Sequence, residues 1–346
     1  MGQPRKTEAF FYSSVAKHQQ GDFRGAEKGY RKILRHAPGN VATLINLGIL
    51  LKDRGELKQA NSLFSKAVEL APEHADGHTN LGGLYARQGK KYKAIACYRT
   101  ALELDPGSTD ALTNLGIALR IIGQYVEAYE LLTRAIEIDP NLSKAHEELA
   151  AVYREWGSVG KARAHLQRAL EIDPENAVLR LKLATLLPVI AESAEQILEY
   201  RQRFAEKISN LIKDNISIEN PAWDIERTNF YLAYHGLDDK PLQEAVARFY
   251  QDACPSLNFV APHCRAGMST IIERPLRLGF ISRYFRDHAI GWTFGRALAA
   301  YPKNRFGTYL YTFEGDLDDV WREMSKQADN AMVLPEINLA ACQKAI

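Results

Sequence analysis

TDALTNLGIALRIIGQYVEAYELLTRAIEIDPNL, residues 109–142, decides how this chain folds. Leu115-Gly116 opens its pattern, Gly123 interrupts it, Ala128 resumes it and Pro140 closes it. The same marks recur every 34 residues: Pro38, Pro72, Pro106, Pro140 and Pro174; Gly21, Gly55, Gly89, Gly123 and Gly157; Ala26, Ala60, Ala94, Ala128 and Ala162. Three columns in register over five copies do not arise by accident. Leu47, Leu81, Leu115 and Leu149 are each followed by a small residue, Gly48, Gly82, Gly116 or Ala150. The leucine fills a core, and its small neighbour lets a second helix approach closely. Proline, which lacks an N–H, stops that second helix. Each unit therefore reads as two helices joined at a glycine. One such pair cannot bury its apolar stripe, so neighbours must stack into a superhelix.

This pattern resembles the tetratricopeptide repeat, which implies helix pairs at 7–40, 41–74, 75–108, 109–142 and 143–176. The first copy departs most, with Ser13, Ser14, Lys17 and Ile33 in otherwise regular columns. That is expected of a terminal repeat, one face of which has no neighbour. Residues 1–6 are expected to form a loose arm. Residues 177–187 read as one more helix, with Leu179, Leu183, Leu186 and Leu187 on one face, capping the array until Pro188 ends it.

The chain has 346 residues, 46% of them hydrophobic and 25% charged, with a net charge of +2: an ordinary soluble composition and a length for about two domains. Such a charge points to neither a nucleic acid nor a membrane surface. No apolar run reaches the length of a membrane span. The start, Met1-Gly2-Gln3-Pro4-Arg5-Lys6, has no apolar signal region, and Lys6 stands where a myristoylation motif needs Ser or Thr. Cys97, Cys254, Cys264 and Cys342 are scattered, which suits a reducing compartment. The expected location is the cytoplasm.

From Glu192 the columns vanish. Helices are expected at about 192–214, 224–235 and 240–254, with a turn at Asn220-Pro221, so that 177–270 forms a helical connector. At Pro275 the period changes to that of strands. Strands at 276–282, 306–313 and 331–334 alternate with helices at about 291–300, 318–328 and 338–346. This alternation implies a parallel sheet, and 271–346 amounts to half of a doubly wound, Rossmann-like domain.

Two groups of residues are candidates for chemistry. His288 follows the first strand of the sheet, and open α/β sheets bind ligands beyond the carboxyl ends of their strands. A neutral imidazole there accepts a proton near pH 7; the alternative is a loop or helix-capping histidine. Asn46, Asn80 and Asn114 recur at one step per repeat on the first helices, with Glu148 breaking the column. Amides both donate and accept, so this ladder suits a polypeptide backbone; the alternative is bonding between helices. Cys254, His263 and Cys264 lack a C-x-x-C partner and make a poor metal site. The run 90–93 reads as a solvated turn rather than a nucleic-acid patch.

The segment RPLRLGFISRYFRDH, residues 274–288, resembles the start of the catalytic region in the SPINDLY and O-GlcNAc transferase family. Ser282 ends the strand, and Phe285 and His288 match the family's Phe-x-x-His loop. Tyr284 stands where the animal branch has Asp, so the likeness is to bacterial SPINDLY-type proteins. YLAYHGLDDKPLQ (231–243), APHC (261–264) and VLPEINLAACQKAI (333–346) resemble that branch too. The resemblance implies transfer of a sugar from a nucleotide donor, UDP-N-acetylglucosamine or GDP-fucose, to Ser or Thr of an intracellular protein. His288 would stand at the position proposed as catalytic base, and Asn46, Asn80 and Asn114 would hold the acceptor.

The second lobe, which grips the nucleotide in that family, has no counterpart within the 346 residues. No GxGxxG or P-loop replaces it, so no cofactor-binding or metal-binding residue is assigned. The chain reads as the first part of a protein O-glycosyltransferase, truncated and inactive alone. The alternative is a non-enzymatic scaffold for protein partners, and self-association stays open.

Overall fold

The computed structural model describes residues 3–188, 190–219, 225, 229–258, 260, 275–313, 317–334 and 342. They fall into two compact units, one within 1–216 and 227–246, the other within 217–226 and 247–346.

The first unit is built from α1 (Gln3–Gln19), α2 (Phe23–His36), α3 (Val41–Asp53), α4 (Leu57–Leu70), α5 (Ala75–Arg87), α6 (Lys91–Leu104), α7 (Thr109–Ile121), α8 (Tyr125–Ile138), α9 (Ser143–Glu155) and α10 (Val159–Ile172). Residues 3–6, expected as a loose arm, instead continue α1. Pro4 lies in the first turn, where an N–H has no intrahelical acceptor, so the proline costs little.

The repeat columns have direct physical causes. Gly21, Gly55, Gly89, Gly123 and Gly157 all have left-handed φ between 70° and 84°, which turns the chain between the helices of a pair. At Gly48, Gly82 and Gly116 the reason is space: a Cβ would stand 2.5 Å from the Phe64 ring, 2.6 Å from the Tyr98 ring and 2.7 Å from Leu132 Cγ. Ala26, Ala60, Ala94, Ala128 and Ala162 are wholly buried. Three apolar clusters run along the array and overlap at Tyr85 and Tyr153, so the core is continuous across pairs.

First helices also touch one another from pair to pair: α1 with α3, α3 with α5, α5 with α7 and α7 with α9. They form one continuous row along the array. α11 (Ala177–Ala184), capped by Asn176, packs on α10, and α12 (Ala194–Lys213) packs on α11. Of the helix expected at 224–235, the described part is a 3-10 turn, Phe230–His235, that ends at Gly236 with φ 65°. A glycine in the left-handed region ends a helix instead of extending it. α13 (Lys240–Ala253) follows.

In the second unit, β1 (Leu276–Ile281), α14 (Ala289–Ala300), β2 (Phe306–Phe313), α15 (Asp319–Gln327) and β3 (Asn330–Leu334) alternate. The strands are parallel in the order β1-β2-β3, with Ile281 opposite Tyr311 and Tyr311 opposite Met332. α14 and α15 pack on each other and over one face, around Phe285, Leu298, Leu310, Trp321 and Met324. This is the incomplete parallel α/β arrangement expected from the sequence. The helix expected at 338–346, the turn at 220–221, His263 and Cys264 lie outside the described residues. No described helix is long and apolar enough to cross a membrane, and the described residues contain no group of three or more metal-ligating side chains.

Candidate functional site

Asn46, Asn80 and Asn114 lie half-buried on α3, α5 and α7, helices of this row. Asn46 Nδ2 donates to the Ala42 carbonyl at 2.9 Å, and Asn80 Nδ2 donates to the Asp76 carbonyl at 2.9 Å. A carbonyl only accepts, so the orientation of both amides is fixed. Each is anchored through nitrogen to its own helix and presents Oδ1 as an acceptor.

At Glu148 the column changes character. Its carboxylate is buried on α9, with Oε2 2.7 Å from Arg120 Nε of α7 and Oε1 3.0 Å from Lys144 Nζ. Burial pushes this carboxyl up, but Arg120 and then Lys144 more than reverse that, so its pKa ends below the usual carboxylate range. One further step of 34 residues reaches Lys182 on α11, whose ammonium pairs with Glu147. Glu147 also pairs with Lys144 at 3.0 Å. The amide column thus ends in a network of paired charges. Sequence reasoning found the break at Glu148 but missed Lys182, which one more step of the repeat would have reached.

The second candidate lies at the carboxyl end of the sheet. Ser282 is held there by its own N–H to the Tyr311 carbonyl (3.1 Å) and by Thr312 Oγ1 donating to its carbonyl (3.0 Å). Phe285 is buried against Phe294 and anchors the loop. A Cβ at Gly291 would stand 2.1 Å from the Arg286 carbonyl oxygen, so only glycine lets α14 approach this loop.

His288 is exposed and caps α14: its Nδ1 accepts from the Ile290 N–H at 3.2 Å, and its ring stacks on Tyr284 at 4.6 Å. Asp287 accepts from Trp292 Nε1–H at 3.0 Å and donates its backbone N–H to Asp318 Oδ2. Asp318 in turn caps α15 through the Trp321 N–H at 3.1 Å. Burial raises the Asp318 carboxyl, yet the amides of Asp287, Trp321 and Val320 together hold it below its usual range. Two helix starts therefore meet at this end of the sheet. An imidazole that accepts at Nδ1 carries its proton on Nε2 when neutral, so His288 offers a donor to whatever lies before it.

Tetratricopeptide repeat models match residues 14–75, 75–108 and 108–175, from within α1 to just past the end of α10. The paired helices are tetratricopeptide repeats. Repeats of this kind bind polypeptide partners, and the array is a scaffold for protein interaction. PilW, a widely conserved type IV pilus biogenesis factor, is similar at 19% identity and TM-score 0.51, over 68% of this chain and 100% of its own. That likeness shows the tetratricopeptide fold alone. The MamA protein aligns at 28% identity and TM-score 0.40, over 51% of this chain and 96% of its own. A mutant O-GlcNAc transferase of Thermobaculum terrenum aligns at 17% identity and TM-score 0.49, over 75% of this chain and 41% of its own. No curated protein matches the chain.

Proposed function

We propose that the tetratricopeptide array holds an extended polypeptide along its first helices as the acceptor of a SPINDLY-type protein O-glycosyltransferase, whose first lobe opens with β1–β3. The observation that carries this reading is the loop after β1. A buried Phe285 and an outward His288 stand together at the carboxyl end of a parallel sheet, where such sheets bind ligands. No cofactor is required of this chain. The donor of the intact enzyme is a nucleotide sugar, UDP-N-acetylglucosamine or GDP-fucose.

His288 then works first as an Nε2–H donor that orients an oxygen of the acceptor or donor. It takes a proton at Nε2 only after Nδ1 releases the Ile290 amide. In the groove, Asn46 and Asn80 supply Oδ1 acceptors to backbone N–H groups. At about 0.5–1.5 kcal/mol per bond, these two residues with Asn114 are a large share of a micromolar affinity. Single Asn→Ala changes should weaken peptide binding several-fold, and the triple change about a hundredfold or more.

The test is transfer from labelled UDP-N-acetylglucosamine or GDP-fucose to lysate proteins by the protein containing this chain, compared with His288→Ala and the triple Asn→Ala. Labelling lost in both variants supports the reading. Equal labelling with and without His288 refutes the role of the loop.

A second reading, a scaffold without activity, is favoured by the cap itself, since His288 Nδ1 is already used structurally. Peptide capture without labelling from either donor would establish it. Melting separates binding from folding: an early melt with unchanged peptide affinity would mean that the asparagines are structural.

A further inference from the structure

We propose that His146 and His165 form a proton-sensitive latch in the fifth helix pair, holding α9 against α10 at neutral pH and releasing it in mild acid. Steps of 34 residues place this pair in register with Leu112 and Leu131, with His78 and Cys97, and with Leu44 and Leu63. In the second and fourth pairs both positions are leucine, with Leu44 and Leu112 buried, so the join is apolar. Here it is made by two imidazoles, with Nδ1 facing Nδ1 at 3.0 Å.

The hydrogen positions follow from the partners. His146 Nε2 lies 3.2 Å from the Pro140 carbonyl oxygen, which only accepts, so Nε2 carries a proton. Neutral His146 therefore has a bare Nδ1, and the contact requires that His165 donate through its own Nδ1–H. The chain runs in one direction, from His165 to His146 to the Pro140 carbonyl. The His165 ring is also stacked on Tyr153, with centroids 5.4 Å apart and planes 21° apart.

Two protonations act differently on this chain. The first goes to the bare Nε2 of His165 and leaves every bond in place. The second has only Nδ1 of His146 to take, inside the contact, and it sets one N–H against another. That step opens the latch.

The charges around the pair come from several elements. Arg168 of α10 disfavours a charged His146, and Lys161 of α10 lies 5.2 Å from the Tyr153 ring. Tyr129 of α8 packs on Tyr153. Lys144, Glu147 and Glu148 of α9 are tied to Arg120 of α7 and Lys182 of α11. Burial lowers both imidazole pKa values from their ordinary range; Arg168 adds to this at His146, where the Pro140 carbonyl opposes it, and His146 adds to it at His165.

The unfolded chain therefore binds more protons just below an ordinary histidine value of about 6.5. The stabilisation is complete above that value and is lost as pH falls through the lower folded ones. Because α9 also carries Glu147 and Glu148, release reaches the charged end of the groove.

Hydrogen exchange of the full chain at pH 7.5 and 5.5, corrected for intrinsic rates, tests the latch. The expected result is an about tenfold or greater loss of protection in α9 and α10 relative to α3–α6. In a parallel melt, the wild type should lose about 5 °C more over this interval than His146→Leu with His165→Leu, which introduces the leucines of the second and fourth pairs. Equal loss across α3–α6 and α9–α10 overturns the proposal, as do parallel melting curves. If the leucine variant does not fold, the exchange comparison on wild type decides alone.

Discussion

Glycines of one repeat do two separate jobs, and substitution tells them apart. Gly116→Ala drives a methyl to 2.7 Å from Leu132 Cγ, an overpacking that should cost about 2 kcal/mol. Gly123→Ala meets nothing within 4 Å but forces a side chain onto φ 84°, which should cost about 1 kcal/mol. Urea titration of the two variants checks the order; equal costs would mean that the close approach is not rigid. At His288 the cap and the chemistry also separate. Asparagine is itself a good cap, so His288→Asn should keep the melting temperature and lose transfer, whereas His288→Ala should also lose about 1 kcal/mol of helix stability. Active His288→Asn would remove the imidazole from the mechanism. Both glycine columns were legible in the sequence because each repeats one solution. Which side of His288 is engaged was not, because that depends on where the Ile290 amide points.

Among elements, α7, α9 and α11 are joined by the Arg120–Glu148–Lys144–Glu147–Lys182 network, not by apolar contact alone. Removing one member of a buried ion pair leaves the other desolvated, so Glu148→Ala should cost about 3–5 kcal/mol. The Glu148 carboxyl is held below its usual range, so its contribution is present above the ordinary carboxylate pKa and lost as pH falls through the lowered one. A Glu148→Gln variant should therefore lose the steep acid limb of the wild-type melting profile below about pH 4.5. An unchanged limb would place the acid sensitivity elsewhere. Sequence reading found the helices of the array because an amphipathic period declares itself, whereas Arg120 and His146, which meet Glu148 and His165, lie on other helices and needed the turn geometry. Of the 224–235 segment only 225 and 229–235 are described, and there the apolar residues form a 3-10 turn that ends at the left-handed Gly236.

Over the whole chain, the change from a 34-residue period to strand–helix alternation was legible and marked the two architectures. Their stabilities should differ. The array has a continuous core, whereas among the described residues β1 and β3 each pair on one side only. Trp156 reports the array, and Trp292 and Trp321 report the sheet unit. Variants that keep Trp156 alone or Trp321 alone, with the others changed to Phe, should show separate urea midpoints, the sheet unit unfolding first. Coincident midpoints would mean that the chain unfolds as one body.

Among the described residues the main contacts of each helix pair are with its neighbours, second helix on the next first helix and first helix on first helix. Under tension applied at its two ends, such a row is a series of links and not a bundle sheared at once. The array should come apart one pair at a time, each release adding 34 residues, about 12 nm of extended chain. The fifth link, closed by two imidazoles where the second and fourth use leucines, should be the one whose breaking force depends most on pH.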